Sequence, residues 1–333
     1  MLEYIIKRLI ALVPVLFGIT LLVFLAMHFV PGDVAQTLIG EKGGHEEVAK
    51  LRHELGLDKP IYVQYGIFLK HAITGNFGVS YQTMEPATGA VMRAFPVTIQ
   101  LSLVAILFSM IIAIPAGIFA AVRQYSLFDN ILMAGAVLGI SMPIFWTAVL
   151  LMMLFSLRLR WFPFTGIISN GITLQHITGF HLLDAALTGN WTAFVDVLRH
   201  LVLPGIALGA LPMAIIARMM RSSLLEVLQK DYVNTARAKG LSENVVILRH
   251  ALRNALLPVI TVVGLQFGNL LCGAILTETV FAMPGIGRLA VTSILFRDYP
   301  VVEALVLFTA LAVVVVNLLV DVSYAYIDPR IRY

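Results

Sequence analysis

The sequence predicts an all-α integral membrane protein with six transmembrane helices. Three observations carry this. Of the 333 residues, 59% are hydrophobic and only 13% charged, about half the charge of a typical soluble domain. The apolar residues fall in blocks long enough to cross a bilayer, which takes about 20 residues of helix. Lysines and arginines gather in alternate connections, as cytoplasmic loops do in membrane proteins.

The first span is expected over Leu9–Val30, behind Lys7 and Arg8. It is longer than the apolar region of a signal peptide and lacks a small-residue cleavage site, so it reads as a retained helix. The remaining spans are Val97–Val122, Ile131–Leu157, Leu201–Met220, Leu256–Thr279 and Val302–Tyr324. Pro204 and Pro212 interrupt the fourth, which a bundle tolerates where neighbouring helices satisfy the freed carbonyls. No repeat or low-complexity tract divides the chain, so residues 1–333 read as one membrane domain.

Basic residues orient these spans. Arg218, Arg221, Lys230, Arg237, Lys239, Arg249 and Arg253 surround the connection between spans four and five. Lys7, Arg8, Arg123, Arg330 and Arg332 fall on the same side, which makes that side cytoplasmic, with both termini there. Segments 31–96, 158–200 and 280–301 then lie outside. Arg158 and Arg160 run against the pattern, at a helix end where long basic side chains reach the interface.

The outer segments carry their own structure. Glu46–Leu55 reads as a short helix stopped by Gly56, and Pro60 opens a second amphipathic segment. Asp184–Leu187 and Trp191–Leu198 suggest a partly helical cap, and Leu289–Phe296 a short re-entrant or interfacial helix after the turn at Ala282–Gly287.

Within the spans, Gly135/Gly139, Gly205/Gly209 and Gly264/Gly268 are small residues four apart, the spacing that lets helix backbones approach closely. Polar residues in spans are candidates for a pathway or for interhelical hydrogen bonds: Gln100 on span two, Gln266, Asn269, Thr277 and Glu278 on span five, Asn317 and Asp321 on span six. Of these, Gln266, Asn269, Thr277 and Glu278 are the candidate translocation path. An acidic group at the bilayer centre costs at least ~2.5 kcal/mol, but Glu278 and Asp321 sit near predicted span ends. Buried pairs of opposite charge, expected of a proton-driven carrier, are missing from the pattern.

Composition and motifs also exclude chemistry. The +4 formal charge fits the positive-inside bias rather than nucleic-acid binding. Cys272 is the only cysteine, so neither an internal disulfide nor a cysteine-cluster metal site is possible. No His-Glu-x-x-His pair is present, Ser222-Ser223 lacks a nucleophile-elbow setting, and Gly40-Glu41-Lys42-Gly43-Gly44 is not a phosphate loop. The chain by itself is expected neither to bind nor to hydrolyse ATP, and to hold no cofactor or metal.

The connection over 221–255 stands out. Arg218–Leu228 continues span four into the cytoplasm. Asp231 is placed to cap a new helix through Ala236 and Ala238, good helix formers. Gly240 ends it, and Ser242 is placed to cap a third helix from Glu243 to His250. Val233, Ala236 and Leu241 would lie bare unless something covered them.

These residues resemble the coupling loop of ABC-importer permeases in the peptide/nickel branch. The resemblance rests on Asp231-Tyr232-x-x-Thr235-Ala236-Arg237-Ala238-Lys239-Gly240-Leu241 and Arg249–Pro258. It extends through Pro31-Gly32-Asp33, Leu55–Pro60, Gly75-Asn76-Phe77-Gly78, Ser141–Trp146, Thr178–Asp184, Ala274–Phe281, Pro284-Gly285, Arg297–Pro300 and Asp328-Pro329-Arg330, nearly the whole chain. Where the general importer pattern has glutamate, this chain has Asn234, and the distance from Gly240 to Pro258 is longer; the peptide branch shares both departures.

The resemblance implies a type I importer permease fold and a location in the bacterial inner membrane. It implies a second homologous permease subunit, two ATP-binding subunits that hold the ATP and magnesium, and a periplasmic binding protein that delivers substrate. Within the branch the similarity leans toward dipeptide permeases; related systems carry oligopeptides, nickel, glutathione or haem. It further implies that Asp231, Thr235, Ala236, Arg237, Lys239, Gly240 and Leu241 form the ATPase-coupling loop, with Ala236 and Gly240 in the partner's groove and Arg237 and Lys239 against its acidic residues. The competing readings are a self-sufficient channel or carrier, and an intramembrane enzyme. The lack of a catalytic set argues against the latter.

Overall fold

The structure is a computed structural model, and residues 2–29, 36, 44–54 and 56–327 are described. Pro31-Gly32-Asp33 and Asp328-Pro329-Arg330 fall outside them, as do the side chains of Cys272 and Asp321. The described elements are helical. They are α1 (Leu2–Phe29), α2 (His45–Glu54), α3 (Ile61–Thr74), α4 (Ala87–Val122), α5 (Leu127–Ser141) and α6 (Ile144–Leu151), which runs on as a π-helical stretch to Arg158. Then come α7 (His181–Leu187), α8 (Trp191–Leu228), α9 (Asp231–Ala238), α10 (Leu252–Gly273), α11 (Ile275–Val280), α12 (Ile286–Leu295) and α13 (Tyr299–Ile327).

By length and apolarity, four described helices can cross a membrane: Ala87–Val122, Trp191–Leu228, Glu243–Leu271 and Tyr299–Leu319. The expected third span is not straight. Leu127–Ser141 and Ile144–Arg158 meet at 103°. Pro143 causes this: it has no N–H to continue the ladder and pushes Met142 out of the helical region. Met142 sits at φ −81°, ψ 127°, and Pro143 opens α6 instead. The fourth span is longer than expected, because Trp191–Leu198 and the extension to Leu228 join it into one 38-residue helix. The fifth ends at Gly273, and α11 follows as a separate turn of helix.

Two compact units emerge, Met1–Phe95 with Arg288–Val315, and Pro96–Gly287 with Val316–Tyr333. In the first, α2 ends as expected: Gly56 takes φ +69° and Leu57 N–H reaches back to Arg52 O at 2.9 Å, the left-handed stop that glycine allows. Pro60 precedes α3, as its fixed φ favours. Phe24 of α1 packs on Tyr65 and Phe68 of α3, with ring centroids 5.3 and 5.8 Å apart.

The core of the second unit runs along α8, where Leu201, Leu208, Ile216, Met220 and Leu224 are fully buried. Of the three glycine pairs, Gly205/Gly209 is a true close approach. A Cβ at Gly209 would meet Ala105 O at 2.7 Å and one at Gly205 would meet Val104 Cγ1 at 3.0 Å, whereas Gly135 faces open space. Gly117 makes a second such approach on α4, where a Cβ would stand 2.7 Å from Ala217 O of α8. The Asp129 carboxylate, buried at the start of α5, takes a two-pronged bond from Arg221 of α8 at 2.6 and 2.7 Å, the fork geometry that makes Arg–carboxylate pairs strong.

Candidate functional site

The segment that follows span four is built on the end of α8. Lys230, in extended conformation, turns the chain, and α9 follows with Asp231 in its first turn. Asp231 does not cap the helix, since Lys230 occupies that position and no side chain bonds the first N–H groups. Its charge favours the helix start through the dipole alone. Gly240 closes α9 at φ +79°, with its N–H on Arg237 O at 2.9 Å. Ser242 stands at the next helix start, but its side chain accepts no capping N–H. The expected helix beyond it is α-helical only over Glu243–Val245 and turns π-helical over Val246–Ala251 before α10.

Two faces of α9 differ sharply. Val233 is 0% and Ala236 6% exposed. Both belong to the same core as Met220, Leu224, Val246 and Ile247. One helical turn apart, they seat α9 on its own chain. Ala236, expected in a partner's groove, packs on its own chain in this structure. Arg237 is exposed, and its guanidinium bonds the Glu243 carboxylate at 2.6 Å. Tyr232, Thr235, Lys239, Gly240 and Leu241 remain outward. Tyr232 is steadied by Asn254 Nδ2 donating to its hydroxyl at 2.7 Å. Ser223 Oγ donates to Ala255 O at 2.8 Å, which ties α8 to α10 behind this face.

The candidate path residues separate as well. Asn269 is exposed and Gln266 half-buried. Thr277 and Glu278 are fully buried and line no open surface. Glu278 accepts a hydrogen bond from Thr98 Oγ1 at 2.5 Å, and Thr98 Oγ1 in turn accepts Ile286 N–H at 2.9 Å. Gly285 lies against the Glu278 carboxylate so closely that a Cβ there would stand 2.3 Å from Oε1. At Gly287 a Cβ would stand 2.5 Å from Ile275 Cα. Glu278 thus anchors the turn after α11, and the Pro284-Gly285-Ile286-Gly287 sequence is shaped around it. Gln100 is another anchor: its Oε1 accepts Leu182 N–H of α7 at 2.9 Å.

The connection before α8 is fastened by Asp184. Its carboxylate accepts Thr178 N–H at 2.8 Å, Thr178 Oγ1 at 2.6 Å and Gly179 N–H at 3.1 Å. Burial works to raise the Asp184 carboxyl, but the bonds from Thr178 and Gly179 outweigh it and hold the group below its ordinary value. The residues Thr178–Asp184 are accordingly a clamp that closes on itself.

The fold is that of an ABC-importer permease. A chain in inward-facing structures of the MetNI methionine ABC transporter superposes with TM-score 0.54 at 16% identity, covering 72% of this chain and 96% of its own. That likeness speaks to fold alone. The family model for the binding-protein-dependent transport system inner membrane component matches residues 113–333. The model for the N-terminal part of such membrane components matches residues 1–103. The chain belongs to this family of inner-membrane transport components. It is 47% identical to the dipeptide transport system permease protein DppB of Alkalihalophilus pseudofirmus over 333 residues, 100% of both chains. It is 47% identical to the di/tripeptide transport system permease protein DppB of Pseudomonas aeruginosa, covering 100% of this chain and 99% of that one. The glutathione transport system permease protein GsiC of Escherichia coli is 40% identical over the full length of both.

Proposed function

We propose that this chain is the permease subunit through which an ATP-driven importer takes up dipeptides. The observation that carries the substrate class is end-to-end similarity at 47% to a dipeptide permease, above the 40% to a glutathione permease. In this reading six spans cross the membrane, with α1 first and the bent pair α5–α6 third, and both termini lie in the cytoplasm. The chain forms half of the path beside a second permease, with Asn269 and Gln266 of α10 on the side that faces cargo. A periplasmic binding protein delivers the peptide. ATP and magnesium stay on two ATPase subunits, which grip the outward face of α9 at Tyr232, Thr235, Lys239, Gly240 and Leu241. A short helix with cations at its rim suits a groove, since charge steers docking while small residues permit close approach.

The test is uptake of a radiolabelled dipeptide by the reconstituted complex. A Cβ at Gly240 would meet no atom within 4 Å, so Gly240→Trp projects its ring outward, at the cost of a side chain at φ +79°. It should abolish ATP-dependent uptake while the chain remains folded. Full uptake by Gly240→Trp refutes the docking face, and preferential uptake of glutathione refutes the substrate class.

A further inference from the structure

A pocket of about 320 Å³ opens in the first unit between the end of α1, α3, the Phe77–Tyr81 segment and the first turn of α13. No role described above uses it. Its wall is aromatic: Phe24, Phe68, Phe77, Tyr81 and Tyr299 line it, and the one carboxylate among its lining residues is Glu303. Glu303 is partly buried and has no hydrogen bond or ion pair among the described residues. The histidines in the lining, His28 and His71, make no ion pair with it. A charged carboxylate drawn out of water without a partner is costly, and aromatic faces attract cations.

The arrangement is held rather than incidental. Asp298, 1% exposed, accepts Ser80 Oγ at 2.5 Å and Tyr81 N–H at 3.1 Å. That fixes Tyr81 beside the start of α13. Burial first, then the charges of Glu303 and Asp298, push the Tyr81 hydroxyl above its ordinary value. The hydroxyl therefore stays protonated at neutral pH.

We propose that this pocket binds a primary ammonium group carried on an apolar body, with Glu303 as counter-ion and the rings of Tyr81, Tyr299 and Phe77 around the cation. Two sources present that chemistry, an aminophospholipid headgroup and the amino terminus of a short peptide. The site does not depend on which cargo the transporter moves.

The test uses the assembled transporter in phosphatidylglycerol nanodiscs, with 2-phenylethylamine as probe and 2-phenylethanol as its neutral counterpart. The amine should bind at least about tenfold more tightly than the alcohol. Glu303→Gln should erase that difference. Val79→Trp, at the pocket mouth with Glu303 intact, should block both probes, and its thermal unfolding reports whether it is folded. Displacement of the amine in phosphatidylethanolamine nanodiscs supports the site with a lipid occupant. Displacement by Ala-Phe but not by its N-acetylated form supports it with a peptide occupant. Equal binding of amine and alcohol, or a preference for the amine that survives Glu303→Gln, overturns the proposal.

Discussion

Glu278 illustrates how much a single residue's surroundings change its meaning. On the sequence it is an acidic group near a span end, equally suited to a path or to a hydrogen bond. In the fold it is fully buried, bonded to Thr98, and pressed against Gly285. Gly285→Ala should therefore destabilise the protein by roughly 1–3 kcal/mol, the usual cost of overpacking, seen as a lower thermal unfolding midpoint. Combined with Glu278→Ala, which vacates the space, its extra cost should shrink, because contacting residues are not additive. Asp184 offers a pH test. Its carboxyl is held below the ordinary value by bonds it accepts, so the stability it confers is present above the ordinary carboxylate range and is lost as pH falls through the depressed value. Protection of the amides over residues 176–188, relative to their intrinsic exchange rates, should stay high at neutral pH and fall only under strong acid. Asp184→Asn, which forfeits charge-assisted bonds worth roughly 1–3 kcal/mol, should lower it at neutral pH.

At the scale of elements, α9 was legible as a helix because good formers precede a glycine, and Gly240 does end it in the left-handed conformation. Which face of it is free was not legible. Eight residues carrying Val233, Ala236 and Ala238 are nearly as compatible with one orientation as with another until α8 and the π-helical segment supply the seat. The burial of Ala236 makes a prediction that separates the faces. Ala236→Leu should destabilise the chain by roughly 1–3 kcal/mol through overpacking, read from thermal unfolding. Thr235→Trp, on the exposed face, should leave the unfolding midpoint within a degree or two and reduce uptake sharply. The bend at Pro143 has the same character. The proline and its restriction on Met142 were visible in the sequence, but the 103° angle depends on what each half packs against. The close approach at Gly117 escaped notice because it has no partner glycine four residues away; a small residue facing Ala217 is recognisable only once the helices cross.

For the molecule as a whole, the family sets the expectation that this chain works only with others. Purified alone in nanodiscs it should show no ATP hydrolysis above background. Hydrolysis should appear when the ATPase subunits are added, and stimulation by a loaded binding protein should require all components. Hydrolysis by the isolated, homogeneous chain would refute that division of labour.

Composition and apolar block length determined that this is a helical membrane protein, because the bilayer imposes both on any spanning chain. The residues Asp231–Leu241, with the matching stretches along the rest of the chain, carried the resemblance to the family. Only the tertiary structure decided which side chains of that stretch are exposed, that Gln100 bonds Leu182 and Glu278 bonds Thr98, and that Glu303 stands among aromatic rings with no partner among the described residues. The reason is physical. Periodicity follows from the local chain, but burial and pairing depend on groups tens to hundreds of residues away, such as Thr98 for Glu278 or Asp129 for Arg221, whose meeting is settled only when the helices pack.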